Sequence, residues 1–317
     1  SAASDVYKRQ LLGSGNWEPV NPDPHSALDR SAAVSEGVKL SFLNQAPSTG
    51  WVFTRRYQDY NKLKLEKGDD LAKATHDSMV EAIKRGNNCI SLVSHGDHRG
   101  LYLYDGPAFI SSDDLKAMHN YPGIVFACAC NTTRFDHADD QSIGEWAVLN
   151  PQGGAAGWVG ASRMSSTGDG PVDLAFWRAT FASERLGEMF NGAKLATRDG
   201  QSYLYNLIGD PAMRVWSDRP CRLDASHASK ICTGHQSFNV TVTSSGKPVP
   251  NALVCFTMEG TLFATCTTDA SGKVSRMITP SIEGTMRVTA SGKNMIPYLG
   301  TVTVEKCESA RLSLIHI

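Results

Sequence analysis

What most limits the folds open to this chain is a single change of hydrophobic pattern near Pro220. Upstream, short apolar runs alternate with stretches of helical spacing. Asp69 and Asp70 mark a helix start, and Leu71, Ala74, Met79, Ala82 and Ile83 follow a helical period until Gly86. Residues 89–93 then predict a strand, Ser111 or Ser112 caps a helix over the acids Asp113 and Asp114, and Pro122 and Gly123 introduce a strand over 124–127. The alternation continues with a helix over 142–149, a strand over 155–159, a long helical stretch over 172–197 and a last strand over 212–216. Such a pattern predicts an α/β fold, a mostly parallel sheet with helices on both faces.

Downstream of Pro220 the helical signals stop. Runs rich in β-formers at 238–243, 252–256, 262–267, 285–290 and 300–304 are separated by turn signals such as Ser245-Gly246 and Ser271-Gly272. Short strands at this spacing predict an all-β sandwich over 220–310, with Cys255 and Cys266 on adjacent strands.

The ends read differently. Residues 5–10 can be encoded by GATGTGTATAAGAGACAG, whose reverse complement, CTGTCTCTTATACACATC, translates as residues 312–317. Such an inverted pair resembles a transposon-end sequencing adapter. Residues 1–10 and 312–317 are therefore expected to be artefact without tertiary contacts, including Tyr7 and Ile315, and the natural protein to continue past both ends. Residues 11–67 are rich in Gly, Pro, Ser and Asn and hold one apolar stretch at 38–43, which predicts loops around a strand, the remnant of a truncated upstream part.

A formal net charge of -1 leaves no basic footprint for a nucleic-acid or polyanion partner. No apolar run approaches the roughly 20 residues of a membrane-spanning helix. Five of the eight cysteines lie in the C-terminal third, which favours an oxidising compartment there.

Two markers about 35 residues apart could carry chemistry: Leu92-Val93-Ser94-His95-Gly96 and Ala127-Cys128-Ala129-Cys130-Asn131-Thr132. Each follows an apolar strand, and parallel neighbours would set their following loops side by side beyond the carboxyl ends, where α/β sheets bind ligands. A thiol becomes a nucleophile when a base favours its thiolate, and histidine is the usual partner. Glycine after the histidine lets the backbone come close to a substrate, so the N–H groups of Gly96 and Cys130 are the candidate oxyanion donors. Cys128 competes with Cys130. It closes the apolar run and reads as a buried core thiol, whereas Cys130 is followed by polar residues; Cys89 also reads as core.

A strand ending in His-Gly followed by one ending in Ala-Cys resembles the caspase, legumain and gingipain clan of cysteine peptidases. The later detail is similar to gingipains: Cys130-x-Thr132-x-x-Phe135-Asp136, Ser142-Ile143-Gly144-Glu145, the Gly-rich run 153–160, and Leu207-Ile208-Gly209-Asp210-Pro211. The resemblance runs from about Gly68 to Trp216. It implies a caspase-like catalytic domain over 68–219 followed by an immunoglobulin-like domain. It further implies an endopeptidase acting on protein or peptide substrates through Cys130 and His95, and secretion or surface attachment in a bacterium. A catalytically inactive surface adhesin or binding module on the same fold is the alternative.

The residue after Thr132, often glycine in that family, is Thr133 here. The acid that orients the histidine in gingipains lies upstream and has no assignable counterpart. Ser162, Arg163 and Met164 follow the strand that resembles the border of the gingipain specificity pocket, and are candidate pocket residues. No cofactor or metal is expected for catalysis. Structural calcium, which occurs in the family, would draw on Asp97-His98 and the cluster 136–140, though both also read as solvated loop charge.

Overall fold

The computed structural model describes residues 9–15, 29–45, 51–58, 60–63, 70–119, 123–138, 140–166, 170–197 and 201–307. It divides into two compact units, Ser1–Arg219 and Pro220–Ile317.

The first unit is built on a seven-stranded sheet. Its strands in chain order are β1 (Arg9–Ser14), β2 (Val52–Tyr57), β3 (Asp70–Lys73), β4 (Cys89–Val93), β8 (Ile124–Cys128), β9 (Gly157–Ala161) and β10 (Tyr205–Gly209). In space the order is β10-β9-β8-β4-β1-β2-β3. All neighbours are parallel except β10, which runs antiparallel along β9. A small antiparallel sheet of β5 (His95–Gly96), β6 (Gly100–Tyr102) and β7 (Ala108–Ser111) follows directly on β4.

Helices α1 (Arg30–Gln45), α5 (Gly170–Ala179) and α6 (Leu186–Thr197) bury Val38, Phe42, Phe176, Trp177 and Met189 in one core cluster, with Val93, Phe126 and Cys128 from the sheet. Helices α2 (His76–Lys84), α3 (Ser112–Ala117) and α4 (Ile143–Leu149) contribute Met79, Leu115 and Ile143 to a second cluster, with Leu92, Val125 and Ala127. Neighbouring strand residues thus divide between the two clusters, as the two-residue period of a strand requires. The α/β fold with helices on both faces is the one expected. Thr75, Ser111 and Ser142 each cap a helix in a reciprocal box with Ser78, Asp114 and Glu145, which fixes where α2, α3 and α4 begin.

Six expectations change. Residues 38–43 lie inside α1 and not in a strand, because the buried stripe of that helix includes Ser31, Ser35 and Lys39, which hide its period from a hydrophobic scan. Asp70 opens β3 and not a helix; its carboxylate takes Arg56 at 2.7 Å and Arg85 at 2.8 Å, and the helix starts after Thr75. The stretch 172–197 is broken into α5 and α6, and the last strand of the sheet is β10, upstream of 212–216. Finally, β1 and β2 lie inside the sheet and begin at Arg9 and Val52, so the α/β unit draws on residues well before Gly68. Gln10, expected to be artefact, pairs with Phe53 on one side and Cys89 on the other and is fully buried. Tyr7 and Ile315 lie outside the described residues.

The second unit is a β-sandwich. One sheet joins β12 (Asp224–His227), β14 (Gln236–Ser244), β15 (Lys247–Pro248) and β18 (Lys273–Ile278). The other runs β13-β21-β19-β16-β17, where β13 is Lys230–Cys232, β16 Leu253–Met258, β17 Leu262–Thr267, β19 Gly284–Ser291 and β21 Tyr298–Glu305. Phe238, Val240 and Val242 from the first sheet meet Val254, Phe256, Met286, Val288 and Val302 from the second. Two short strands, β11 (Cys221–Arg222) and β20 (Met295–Ile296), pair at one side. Cys255 and Cys266 are on adjacent strands, but Cys266 stands opposite Val254, so the two sulfurs belong to opposite faces. Cys232 and Cys307 form a disulfide.

Candidate active site

Strands β4 and β8 are parallel neighbours in the register Val93 to Cys128. His95 and Cys130 each lie two residues beyond that pair. The Ser94 N–H donates to the Cys128 carbonyl at 3.2 Å, so the pairing is still held where the two chains leave the sheet. His95 is exposed on β5, opposite Tyr102, with its ring 6.2 Å from that of Tyr104. Cys130 is half-buried, whereas Cys128 is buried in the core beneath it and receives the Tyr205 hydroxyl at 3.5 Å.

Gly96 is where the two loops touch. A Cβ added there would lie 2.8 Å from the Ala129 Cβ and 3.1 Å from the Cys130 carbonyl oxygen. Only glycine allows this approach, so the requirement for Gly after His95 is steric at least as much as chemical.

The turn after Cys130 is made by Asn131, in the left-handed region at φ 57°. Thr133 ties the loop to β9: its N–H donates to the Ala161 carbonyl at 3.0 Å and its hydroxyl to the Gly160 carbonyl at 2.8 Å. Thr132 is buried against Gly160, and its carbonyl accepts the Gly144 N–H at 3.0 Å, which fixes α4 to the same loop.

The segment after β9 reaches the thiol. The Ser165 N–H donates to Cys130 Sγ at 3.3 Å, the thiol can donate to the Ser165 carbonyl at 3.4 Å, and the Ser165 hydroxyl is 3.8 Å away. The three expected pocket residues separate. Ser162 is buried, its hydroxyl donating to the Leu204 carbonyl at 3.2 Å. Arg163 is turned to Asp136 in a two-pronged pair at 2.6 and 3.0 Å, and Met164 is 80% exposed. Ser165, the residue in direct contact with the sulfur, was not singled out, although it lies in the same post-strand stretch. No periodic or motif signal marks it, because its contact is made only by folding.

Asp136, expected as solvated or cation-binding charge, is held below the ordinary aspartate range chiefly by Arg163. His98 stacks on His137 with ring centres 4.2 Å apart, and burial together with the neighbouring His137 pushes the His98 imidazole down. Among the described residues no three His, Cys, Asp or Glu side chains gather in a metal-binding group; Asp139 lies outside them.

A profile of peptidase family C25 matches residues 4–216. The chain belongs to peptidase family C25. It is thereby placed among the cysteine peptidases, and its matched span reaches from before β1 to the end of the α/β unit.

Solved structures agree on the fold. The Arg-specific cysteine proteinase gingipain R (RgpB) is similar at a TM-score of 0.72 and 14% identity, over 96% of this chain and 69% of that one. The complex of the pro- and mature domains of Porphyromonas gingivalis RgpB gives 0.68 and 14%, over 96% and 70%. A third, described as a protease, gives 0.67 and 14%, over 95% and 68%. Identity this low speaks for the fold alone. No curated protein sequence matches the chain.

Proposed function

We propose that this C25 peptidase is an endopeptidase in which Cys130 is the nucleophile and His95 its base. The observation that carries the reading is the shared register of β4 and β8, which brings both residues off neighbouring parallel strands with the same offset. Cys130 is also the thiol that meets the loop surface, Cys128 and Cys89 being buried.

In the reaction, His95 takes the thiol proton as Cys130 Sγ attacks the scissile carbonyl carbon. The tetrahedral oxyanion is met by the N–H groups of Gly96 and Cys130. Collapse breaks the C–N bond, the amine leaves with the proton from His95, and a thioester remains on Cys130. Water, deprotonated by His95, then attacks the thioester, and the acid product departs with the thiol restored. Protein or peptide substrates would run past Ser165 and the exposed Met164, with Ser162 supporting that wall from behind. Arg163 is taken out of the pocket-lining set, since its guanidinium is committed to Asp136.

The Cys232–Cys307 disulfide supports an oxidising location, in keeping with a secreted or surface-attached protein.

The test is a pair of substitutions. Cys130→Ala should abolish peptide hydrolysis and labelling by a thiol-directed peptide probe, and His95→Ala should lower hydrolysis by several orders of magnitude. Full hydrolysis by Cys130→Ala would remove the assignment. A wild-type chain that folds but neither hydrolyses nor labels would favour a binding module on this fold.

A further inference from the structure

Residues Asp136 and His137 lie next to each other at the tip of the loop that begins at Cys130, and each grips a different neighbour. Asp136 takes both terminal nitrogens of Arg163, at 2.6 and 3.0 Å. Arg163 is also braced by its own chain, Nη1 donating to the Ser162 carbonyl at 2.7 Å. On the other side, His137 stacks on His98, which belongs to the turn between β5 and β6. His98 follows His95 by three residues. The backbone supports the same arrangement: Asn131 N–H donates to the Arg163 carbonyl at 3.1 Å, and Ile143 N–H to the His98 carbonyl at 2.7 Å. One dipeptide therefore ties together the three segments that carry His95, Cys130 and Ser165.

We propose that Asp136 is a positioning residue, which through its two-pronged pair with Arg163 holds the 162–165 segment against Cys130 and so sets the wall along which the substrate is aligned. This rests on the reading of Cys130 as the nucleophile. The pair is a rim contact, with side chains 46% and 53% exposed, and exposed pairs contribute little to global stability. Its consequence is geometric. Arg163 is two residues from Ser165, so a shift of the guanidinium is passed to the peptide that touches the sulfur. The guanidinium fork meets the carboxylate with two parallel bonds, a geometry that lysine cannot reproduce. Misplacement of a bound substrate by about 1 Å can cost on the order of a hundredfold in rate, so a weak contact at this place has a large lever.

The test separates alignment from folding and from thiol chemistry. Asp136→Asn, Arg163→Gln and the reversed pair Asp136→Arg with Arg163→Asp are compared with the wild-type chain in three measurements: alkylation of Cys130 by iodoacetamide, labelling of Cys130 by a peptidyl chloromethyl ketone, and the melting temperature. Each single substitution should slow the peptidyl label and lower kcat/KM on a peptide by about tenfold, given the lever of misplacement. Iodoacetamide needs no aligned wall, so its rate should stay within about twofold, and the melting temperature should move little. Arg134 Nε also lies 3.9 Å from Asp136 Oδ1, so the reversed pair, which sets a new arginine beside it, should recover part of the peptidyl labelling.

Equal peptidyl labelling in wild-type and single variants would overturn the proposal while leaving the nucleophile assignment in place. So would an equal loss in both labels, or a reversed pair no better than the singles. A wild-type chain that takes neither label at Cys130 would overturn both readings together.

Discussion

In the sandwich Cys232 and Cys307 are bonded to each other across β13 and the end of β21, whereas in the α/β unit Cys89, Cys128 and Cys130 stand unbonded on or beside the neighbouring strands β4 and β8. Their polar groups differ in the same direction. The buried face of the sandwich is almost wholly apolar, while the α/β unit buries Gln10, Lys39, Arg55, Ser91 and Asp173. A unit of under a hundred residues with a single apolar core gains from a cross-link that limits its unfolded chain. The larger unit, with two core clusters, buries charged and polar side chains and leaves one thiol, Cys130, half-buried at a strand end.

The contrast would break first at the disulfide. It closes a separation of 75 residues, for which the chain-entropy account gives a contribution of about 4 kcal/mol. Replacing Cys232 and Cys307 with Ser should lower the stability of the sandwich by about that amount, as measured by denaturant unfolding, and reduction of the wild-type chain should reproduce the loss. Equal midpoints with and without reductant would show that the sandwich core needs no staple.

Next in size is Asp173 on α5. It is wholly buried and accepts the Ser91 hydroxyl at 2.9 Å. Desolvation drives its carboxyl up to about 7, against the lowering influence of Ser91 and Trp177. An acid raised in this way favours the folded chain while it is protonated. The stability it contributes is complete below the ordinary aspartate range and is lost as the pH rises through about 7. Between about pH 5 and pH 8 the α/β unit should therefore lose about 3 kcal/mol, and Asp173→Asn should flatten that slope. Parallel pH profiles for the variant and the wild type would remove Asp173 as the cause.

These same buried polar groups explain what the sequence conceals. Strands β4 and β8 are legible because all but Ser91 of their buried positions are apolar, and helices α3 and α4 because their N-caps are explicit. The region 11–67 reads as loop because polar side chains are interspersed with the apolar ones among its buried residues. Arg55, though only 1% exposed, pairs with Glu36 at 3.2 Å, and Glu36 also accepts the Tyr57 hydroxyl at 2.9 Å, an arrangement that no hydrophobic scan detects. β10 escapes notice for another reason: as an antiparallel edge strand it is only partly buried, so its apolar run is short. At the candidate site, His95 and Cys130 are suggested by strand ends and residue chemistry taken together with the family resemblance. Ser165 and the Asp136–Arg163 pair are not, since their roles depend on which loops meet in space.

The smallest effect expected sharpens the comparison at single thiols. Neither Cys128 nor Cys255 is in a disulfide, and both sit on inner strands of their sheets. Cys128 is buried among Phe126, Val159 and Tyr205, whose hydroxyl donates to its sulfur. Removing that sulfur leaves a small void and takes one contact from the Tyr205 hydroxyl, which should cost about 1 kcal/mol. Cys255 alternates with the buried Val254 and Phe256 and so faces away from the sandwich core, only partly covered. Replacing it with Ala should change stability by no more than about 0.5 kcal/mol, as is usual for substitutions outside the core. Cys128→Ala should also keep peptidyl labelling at Cys130, since the two sulfurs are separated by a full strand period and only one meets the loop surface. If Cys128→Ala folded normally yet lost the label, the buried thiol would be part of the chemistry, and the division between a core sulfur and a reactive one two residues away would fail.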